Sequence, residues 1–400
     1  MSHDLNNKSA RAAAKKKLLH ALTTSITLMN LLPLWNEEYA AFKDELRKSP
    51  LPWLSNGDID EIIYLAYLNF PGRIKAADGP LILTLNHSLL ETLADNIIDL
   101  ISLQRDYWFY FPLRNIYVTD DIKLSSTVEI IRNTLEEQQG LFEPVSAPEG
   151  GSMLKVHGRG YVLGGRNQSA FVDAMTKVKW TLEIATLQGY FFRTPKKKTP
   201  YMLTTNNTEQ QDIHNAKWKT NQPINQAEGS VRLSSGFSRY LSELTFTNGE
   251  WSTSQSESLQ YHVGRLLTVV EDPIAQKNVK SIRRALEWAF DAGIDEDEHM
   301  SFIKTCIGLE AAISEQNEDV GITEQLADRC AYLLHKTSTA RLDTRNLMRK
   351  IYQLRSKLVH GAATGLSEFE RSLAKQAEKI LKDVLTTELK AVVHWYETLK

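Results

Sequence analysis

Hydrophobic period changes once along this chain, near residue 256, and the change divides it into two kinds of structure. From Ser256 onward apolar residues recur at the three- and four-residue spacing of amphipathic helices, over 259–270, 279–290, 300–314, 322–334, 343–360 and 367–396. An all-helical bundle is the expectation for 257–400. Before the change, short apolar or aromatic runs alternate with glycine-rich breaks: Pro80 to Leu85, Tyr107 to Val118 and Met153 to Leu163, with Gly150-Gly151, Gly158 and Gly164-Gly165 beside them. These runs predict strands, while Ser88 to Leu103 and Leu124 to Gln138 predict helices. Leu244 to Trp251 predicts a hairpin, because Asn248-Gly249 readily supplies the positive φ angles of a type I′ turn. Residues 1–250 are therefore read as a mixed α/β domain and the fold class as α+β. The Ser-, Thr- and Gln-rich stretch from Trp251 to Ser258 is the expected linker, and 400 residues suit two domains better than one core.

Charge and cysteine content narrow the classes of function. Lys and Arg number 47 against 49 Asp and Glu, a formal charge of -2, so affinity for nucleic acid has to come from a local basic patch. Two cysteines, Cys306 and Cys330, exclude a disulfide framework and a Cys-rich zinc module, leaving at most a single regulatory disulfide, and they suit a reducing compartment. Lys15, Lys16 and Lys17 before Leu18-Leu19 imitate an export signal, but His20, Thr23, Thr24, Ser25, Thr27 and Asn30 interrupt its apolar region. Leu18, Leu22, Ile26 and Met29 instead predict an amphipathic helix. No stretch approaches the roughly 20 apolar residues of a membrane span, so the expectation is a cytoplasmic protein with no membrane partner.

The segment Asp343 to Gly361 carries the chemistry. Leu347, Ile351, Leu354 and Leu358 fall in one narrow helical stripe, expected to be core. The opposite face collects Arg345, Arg349, Tyr352, Ser356 and His360, with Arg355 at the edge between core and polar face. From Arg329 to Lys357 there are eight basic residues, and Asp343 is the one carboxylate. Such a run attracts phosphates, and a guanidinium grips a phosphate with two parallel hydrogen bonds; the competing reading is a solvated helix face. Gly361 marks the helix end, placing His360 in the last turn, where the partial negative charge of the helix favours the protonated ring. A phosphodiester cleaved by its own ribose 2′-OH needs a proton on the leaving 5′-oxygen and a cation on the anionic phosphorane. His360 and Arg355 can supply both without a metal or other cofactor. Five residues separate them, so on a regular helix they point about 140° apart and lie about 7.5 Å apart along the axis. Two copies of the motif meeting across a two-fold axis line a shared cleft more easily, which makes a homodimer part of the mechanism.

Glu310 falls in the same helical stripe as Ile303, Cys306 and Ile307, which aims a carboxylate toward the core. Burying it unpaired is costly, so it requires a cation, with Arg355 and Arg329 the candidates.

Taken in order, Ile307-Gly-Leu309-Glu310, Arg329-Cys-Ala-Tyr-Leu-Leu, and Leu347-x3-Ile351-Tyr352-Gln-Leu354-Arg355-Ser356-Lys357-Leu358-Val359-His360-Gly361 resemble the HEPN superfamily (higher eukaryote and prokaryote nucleotide-binding), in its Apea-like branch. The resemblance covers residues 257–400. It implies a helical domain that dimerises into a metal-independent endoribonuclease, leaving 2′,3′-cyclic phosphate and 5′-hydroxyl ends, often in antiphage defence. By motif position Arg355 and His360 carry over as catalytic, with Ser356, Glu310 and Tyr352 supporting. Many HEPN enzymes have Asn, Asp or His directly after the Arg, and Ser356 follows the Apea-like pattern. Arg345 and Arg349 are the expected RNA contacts.

Weaker signals are assigned no site. Gly158-Arg159-Gly160 and Gly164-Gly165-Arg166 lack the order of a phosphate loop; His87 and Glu91 share a helical spacing but lack a third metal ligand; Lys196 to Lys198 reads as an exposed loop, and Asp295 to Glu298 as a helix start. The mixed region is then expected to sense a trigger, such as a phage product, or to restrain the ribonuclease. The rival class is a non-catalytic helical module that binds RNA, a nucleotide or a protein partner.

Overall fold

A computed structural model describes residues 8–26, 73–74, 82–83, 87–102, 105–132, 151–160, 169–194, 215–220, 228–246, 252–313, 322–361 and 365–399. The fold is α+β, and beyond Phe246 every described element is helical. Packing divides the chain into two compact units: one holds 1–107, 157–174 and 220–227, the other 108–156, 175–219 and 228–400. This division does not follow the change of hydrophobic period. Sheet and helices share the second unit because their apolar faces bury against each other.

In the first unit, helix α1 (Lys8–Ile26) packs on α2 (His87–Ser102). Ala14 and Leu18 of α1 are buried, as are Leu90, Leu93, Ala94, Ile97 and Ile98 of α2, the spacing of an amphipathic pair. Arg11 pairs with Asp99, and Lys15 with Asp95 at 2.7 Å, along the rim of this contact. Of the expected strand from Pro80 to Leu85, Ile82–Leu83 forms β2, paired with β1 (Arg73–Ile74).

The second unit is built on a six-stranded sheet in the order β4 (Ile122–Lys123), β5 (Val128–Arg132), β6 (Ser152–Gly160), β3 (Arg105–Leu113), β8 (Asn215–Lys219) and β9 (Glu228–Arg232), of which residues 105–107 and 157–160 are counted with the first. Tyr110, Ile131 and Met153 form a core cluster on it. The expected helix from Leu124 to Gln138 is corrected here: its described part is a turn followed by β5. Leu124 and Ser125 both donate their N–H to the Val128 carbonyl, and the Ser125 hydroxyl accepts the Thr127 N–H, so local turn bonds replace the first helical ones. β-branched Val128, Ile130 and Ile131 then suit a strand. The expected hairpin is half seen: β10 (Leu244–Phe246) pairs with β7 (Phe191–Arg193), and Asn248-Gly249 lies outside the described residues.

Helix α3 (Ser169–Leu187) was not anticipated, although Ala170, Ala174, Val178, Leu182 and Ala185 form a buried helical stripe. With α4 (Ser235–Glu243), it packs against the helical region. Phe237 meets Phe111 and Phe290 at centroid distances of 6.0 and 5.7 Å, and the Trp180 indole N–H donates to Glu287 at 3.1 Å. The expected linker is also structured. Ser252 caps α5 (Thr253–Leu259) with Gln255 in a capping box, and Ser256 and Leu259 are buried. A π-helical turn (Gln260–Gly264) and α6 (Arg265–Glu271) continue it. There follow α7 (Gln276–Ile294), α8 (Glu298–Ile313), α9 (Ile322–Leu334), α10 (Ser338–Val359) and α11 (Glu368–Glu397). None of the helices among the described residues is long and apolar enough to cross a membrane.

Gly264 passes so close to the sheet that a Cβ there would lie 2.6 Å from the Leu124 carbonyl oxygen, a backbone atom that cannot swing aside. Gly264→Ala is expected to lower unfolding free energy by about 1–3 kcal/mol in denaturant titration despite alanine's better helix propensity. Gly293 of α7 has open space around its would-be Cβ, so Gly293→Ala is expected to gain up to about 1 kcal/mol in the same measurement.

Candidate functional site

Helix α10 begins five residues before the expected Asp343. Thr337 caps it, its hydroxyl accepting the Ala340 N–H at 3.4 Å. Its buried residues are Thr344, Met348, Ile351, Tyr352 and Leu354, while Leu347 and Leu358 are half-buried. The apolar stripe is thus rotated from the expected one, with Met348 and Tyr352 on the core side. Tyr352 is the clear correction: it was expected on the polar face but is buried, and its hydroxyl donates to the Cys306 carbonyl at 3.3 Å. Burial, with Cys306 and Glu310 nearby, pushes that hydroxyl far above its ordinary pKa, so it acts as a tether between α10 and α8.

Rotation on α8 has the matching consequence for Glu310. Phe302, Thr305, Cys306, Leu309 and Ile313 are the buried row, which leaves Glu310 half-buried beside it. Its carboxylate pairs with Arg355, Nη2 to Oε1 at 3.5 Å, the first of the two partners considered. Arg329, the other, donates from Nη1 to the Ile313 carbonyl at 2.7 Å and so caps the end of α8. The Arg355 side chain is 33% exposed, yet its Nε is buried and makes no hydrogen bond. Burial drives the neighbouring Cys306 thiol up, Glu310 adds to the rise and Arg355 opposes it, which keeps this cysteine a neutral packing group. Arg355, Glu310, Cys306 and Tyr352 therefore form one cluster where α8 meets α10.

His360 and Gly361 end the helix as the sequence indicates. The His360 N–H bonds the Ser356 carbonyl at 3.1 Å. Gly361 takes φ +71°, donating to the Leu358 carbonyl at 3.0 Å, the C′ geometry that favours glycine. His360 and Ser356 are exposed. Lys357, on the same turn, reaches Glu370 at 2.7 Å, and this bond with those from Ser367 holds the Glu370 carboxyl down to about 2. The pair ties the end of α10 to the start of α11.

Half of the basic run is paired with acids the sequence window did not include. Arg349 binds Glu324 of α9 with a fork of two bonds, 2.8 and 2.7 Å, and also donates to the Asn346 side-chain amide oxygen Oδ1 at 3.2 Å. Arg345 pairs with Asp328, also on α9. Arg341 lies over the Tyr332 ring at 4.2 Å. Lys336 and Lys350 are exposed and engage no carboxylate among the described residues. Arg345 and Arg349, expected to contact RNA, thus already hold carboxylates. These acids sit just ahead of Arg329, one helix back, and a count along the chain that begins at Arg329 misses them. Among the described residues no three His, Cys, Asp or Glu side chains converge as metal ligands; the His87 side chain lies outside the described set, as do Gly164-Gly165 and Lys196 to Lys198.

A double-mutant cycle over Arg355→Ala and Glu310→Ala is expected to give a coupling energy on the order of 1 kcal/mol by denaturant titration, the upper end for a partly exposed pair. Additive losses would show that the two groups do not stabilise each other.

Comparison of the chain with family models, with curated proteins and with solved structures found no match in any of the three. The resemblance to HEPN domains rests on the motif residues alone.

Proposed function

We propose that this chain is a HEPN-type endoribonuclease that works as a homodimer without a metal. The observation that carries the reading is Arg355, held against Glu310 at the α8–α10 contact, followed on the same helix by an exposed His360 at its C-terminal cap. A guanidinium whose position is set by a carboxylate is preorganised, and preorganised charge is what stabilises a phosphorane. In the reaction the ribose 2′-oxygen attacks phosphorus, its proton passing to His360 of one copy. His360 of the other copy gives a proton to the departing 5′-oxygen, and Arg355 meets the charge on the non-bridging oxygens. The products are a 2′,3′-cyclic phosphate and a 5′-hydroxyl. Val359 and Phe369 are exposed apolar residues close in sequence to the motif's end, a surface suited to a second copy. A free cellular ribonuclease is toxic, which motivates a role in antiphage defence with the mixed α/β region sensing the trigger or restraining cleavage.

The second reading, a non-catalytic module that binds RNA or a partner, is favoured by the carboxylates already held by Arg345, Arg349 and Arg355. Labelled RNA incubated with the full chain in EDTA separates the two. The enzyme reading expects cleavage to persist under chelation and to fall about 10²- to 10⁴-fold in Arg355→Ala and in His360→Ala, with melting temperature and dimer mass retained. Retention of RNA without cleavage supports the module, and activity abolished by EDTA overturns the metal-independent mechanism.

A further inference from the structure

The second unit contains a cavity of about 320 Å³ away from the Arg355 cluster, walled by α3, α4, α7, α8 and α11. That volume is at the small end of natural ligand sites, enough for a compact molecule. Glu183 of α3 lines it. Its residue is 6% exposed, and its carboxyl makes no hydrogen bond or ion pair among the described residues. A buried carboxylate without a partner is among the costliest groups a fold can carry.

The surroundings show what is missing. From α11, Lys382 and Glu378 face Glu183, but they pair with each other at 2.6 Å. From β7, Arg193 is taken by Glu243 at 2.6 Å and stacks over the Tyr240 ring at 5.1 Å. From α4, Tyr240 presents a hydroxyl that burial and Glu183 push well above its ordinary pKa, so it stays neutral. The wall from α8 bears Glu298, paired with Arg371 of α11 at 2.9 Å, and Asp295 just beyond α7 is paired with Lys304. Lys375 of α11 is exposed and makes no ion pair among the described residues. Across the whole lining Arg193, Arg371, Lys375 and Lys382 stand against Glu183, Asp295, Glu298 and Glu378, so the charges balance in number. Of the four acids Glu183 is the one whose carboxyl engages no ion pair among the described residues.

We propose that this cavity binds a small organic cation, an amine or a guanidine, whose head group donates hydrogen bonds to the Glu183 carboxylate. A hydrogen bond between two charged groups is about twice as strong as a neutral one, which suits a cationic head to this carboxyl. Without a ligand, burial raises the Glu183 pKa to about 7, where the native state keeps a proton the unfolded chain has released. Stability then declines as pH rises from the ordinary carboxylate range to about 7. A bound cation reverses this preference, so its affinity rises through the same region as the carboxyl ionises.

Titration calorimetry with agmatine, butylamine and methylguanidine on the full chain, at pH 6 and pH 8, tests the site. Saturable binding of at least one of the three, tighter at pH 8 and weakened about 30-fold or more in Glu183→Gln, is the expected result, as for loss of one partner of a buried charge pair. Glu183→Gln removes a buried ionisable group, so it is expected to melt no lower than the parent at pH 8 and to lose the pH dependence of melting below pH 7. Lys277→Ala, on the exposed face of α7 and outside the cavity lining, is expected to leave butylamine binding within about twofold. Absence of binding by all three probes, equal binding by Glu183→Gln, or binding of inorganic phosphate in their place overturns the proposal.

Discussion

A guanidinium held partly out of water needs an anion beside it, and Glu310 does this for Arg355 across the contact of α8 with α10. The arrangement around the motif follows from that pairing and from the neighbouring Tyr352–Cys306 bond, which fix the rotation of one helix against the other. With α10 so rotated, Arg355 keeps one face against α8 and one toward solvent, while His360 leaves the helix at its exposed end. Helix α8 serves both of the features described. Cys306 and Glu310 face the motif, and Phe302 and Thr305, a turn or two earlier, wall the cavity that Glu183 lines.

The two clusters differ in how their charge is satisfied. At the motif four of the eight cations have an acid: Arg345 with Asp328, Arg349 with Glu324, Arg355 with Glu310 and Lys357 with Glu370. Such pairs sit near the surface and contribute little stability each; their effect is to hold long side chains in one place. In the cavity one acid, Glu183, is left without an ion pair although the lining holds as many cations as acids. A site of the first kind is set in position before anything binds, whereas the second leaves a carboxyl free to engage a ligand.

Much of the helical region was legible in the sequence. The long apolar period over 367–396 signals a helix, and the structure forms one over Glu368–Glu397; His360-Gly361 signals a helix end, and Gly361 takes positive φ. Glu310 next to an apolar row signalled a need for a cation, which Arg355 meets. These readings held because each depends on residues within about two turns, or on a cost that any fold has to meet. The strand β5 was misread because a run of Val and Ile fits either period over so short a length, and the Ser125–Thr127 turn bonds that decide it are weak as a sequence signal. Glu183 passed unnoticed because one acid in an apolar helix looks the same in sequence whether it faces water or a cavity.

The sequence by itself determined the local matters: that the later segments are helical, that α10 carries an apolar stripe with a basic flank, and that strands precede helices. Hydrophobic spacing and capping act over a few residues, so they can be read without knowing the rest of the chain. Only the tertiary structure decided which side of each stripe faces the core and which acids meet which bases. Arg349 finds Glu324 25 residues away, and Trp180 finds Glu287 107 away. Charge and burial depend on what comes near in space, and nothing in the local period encodes that distance.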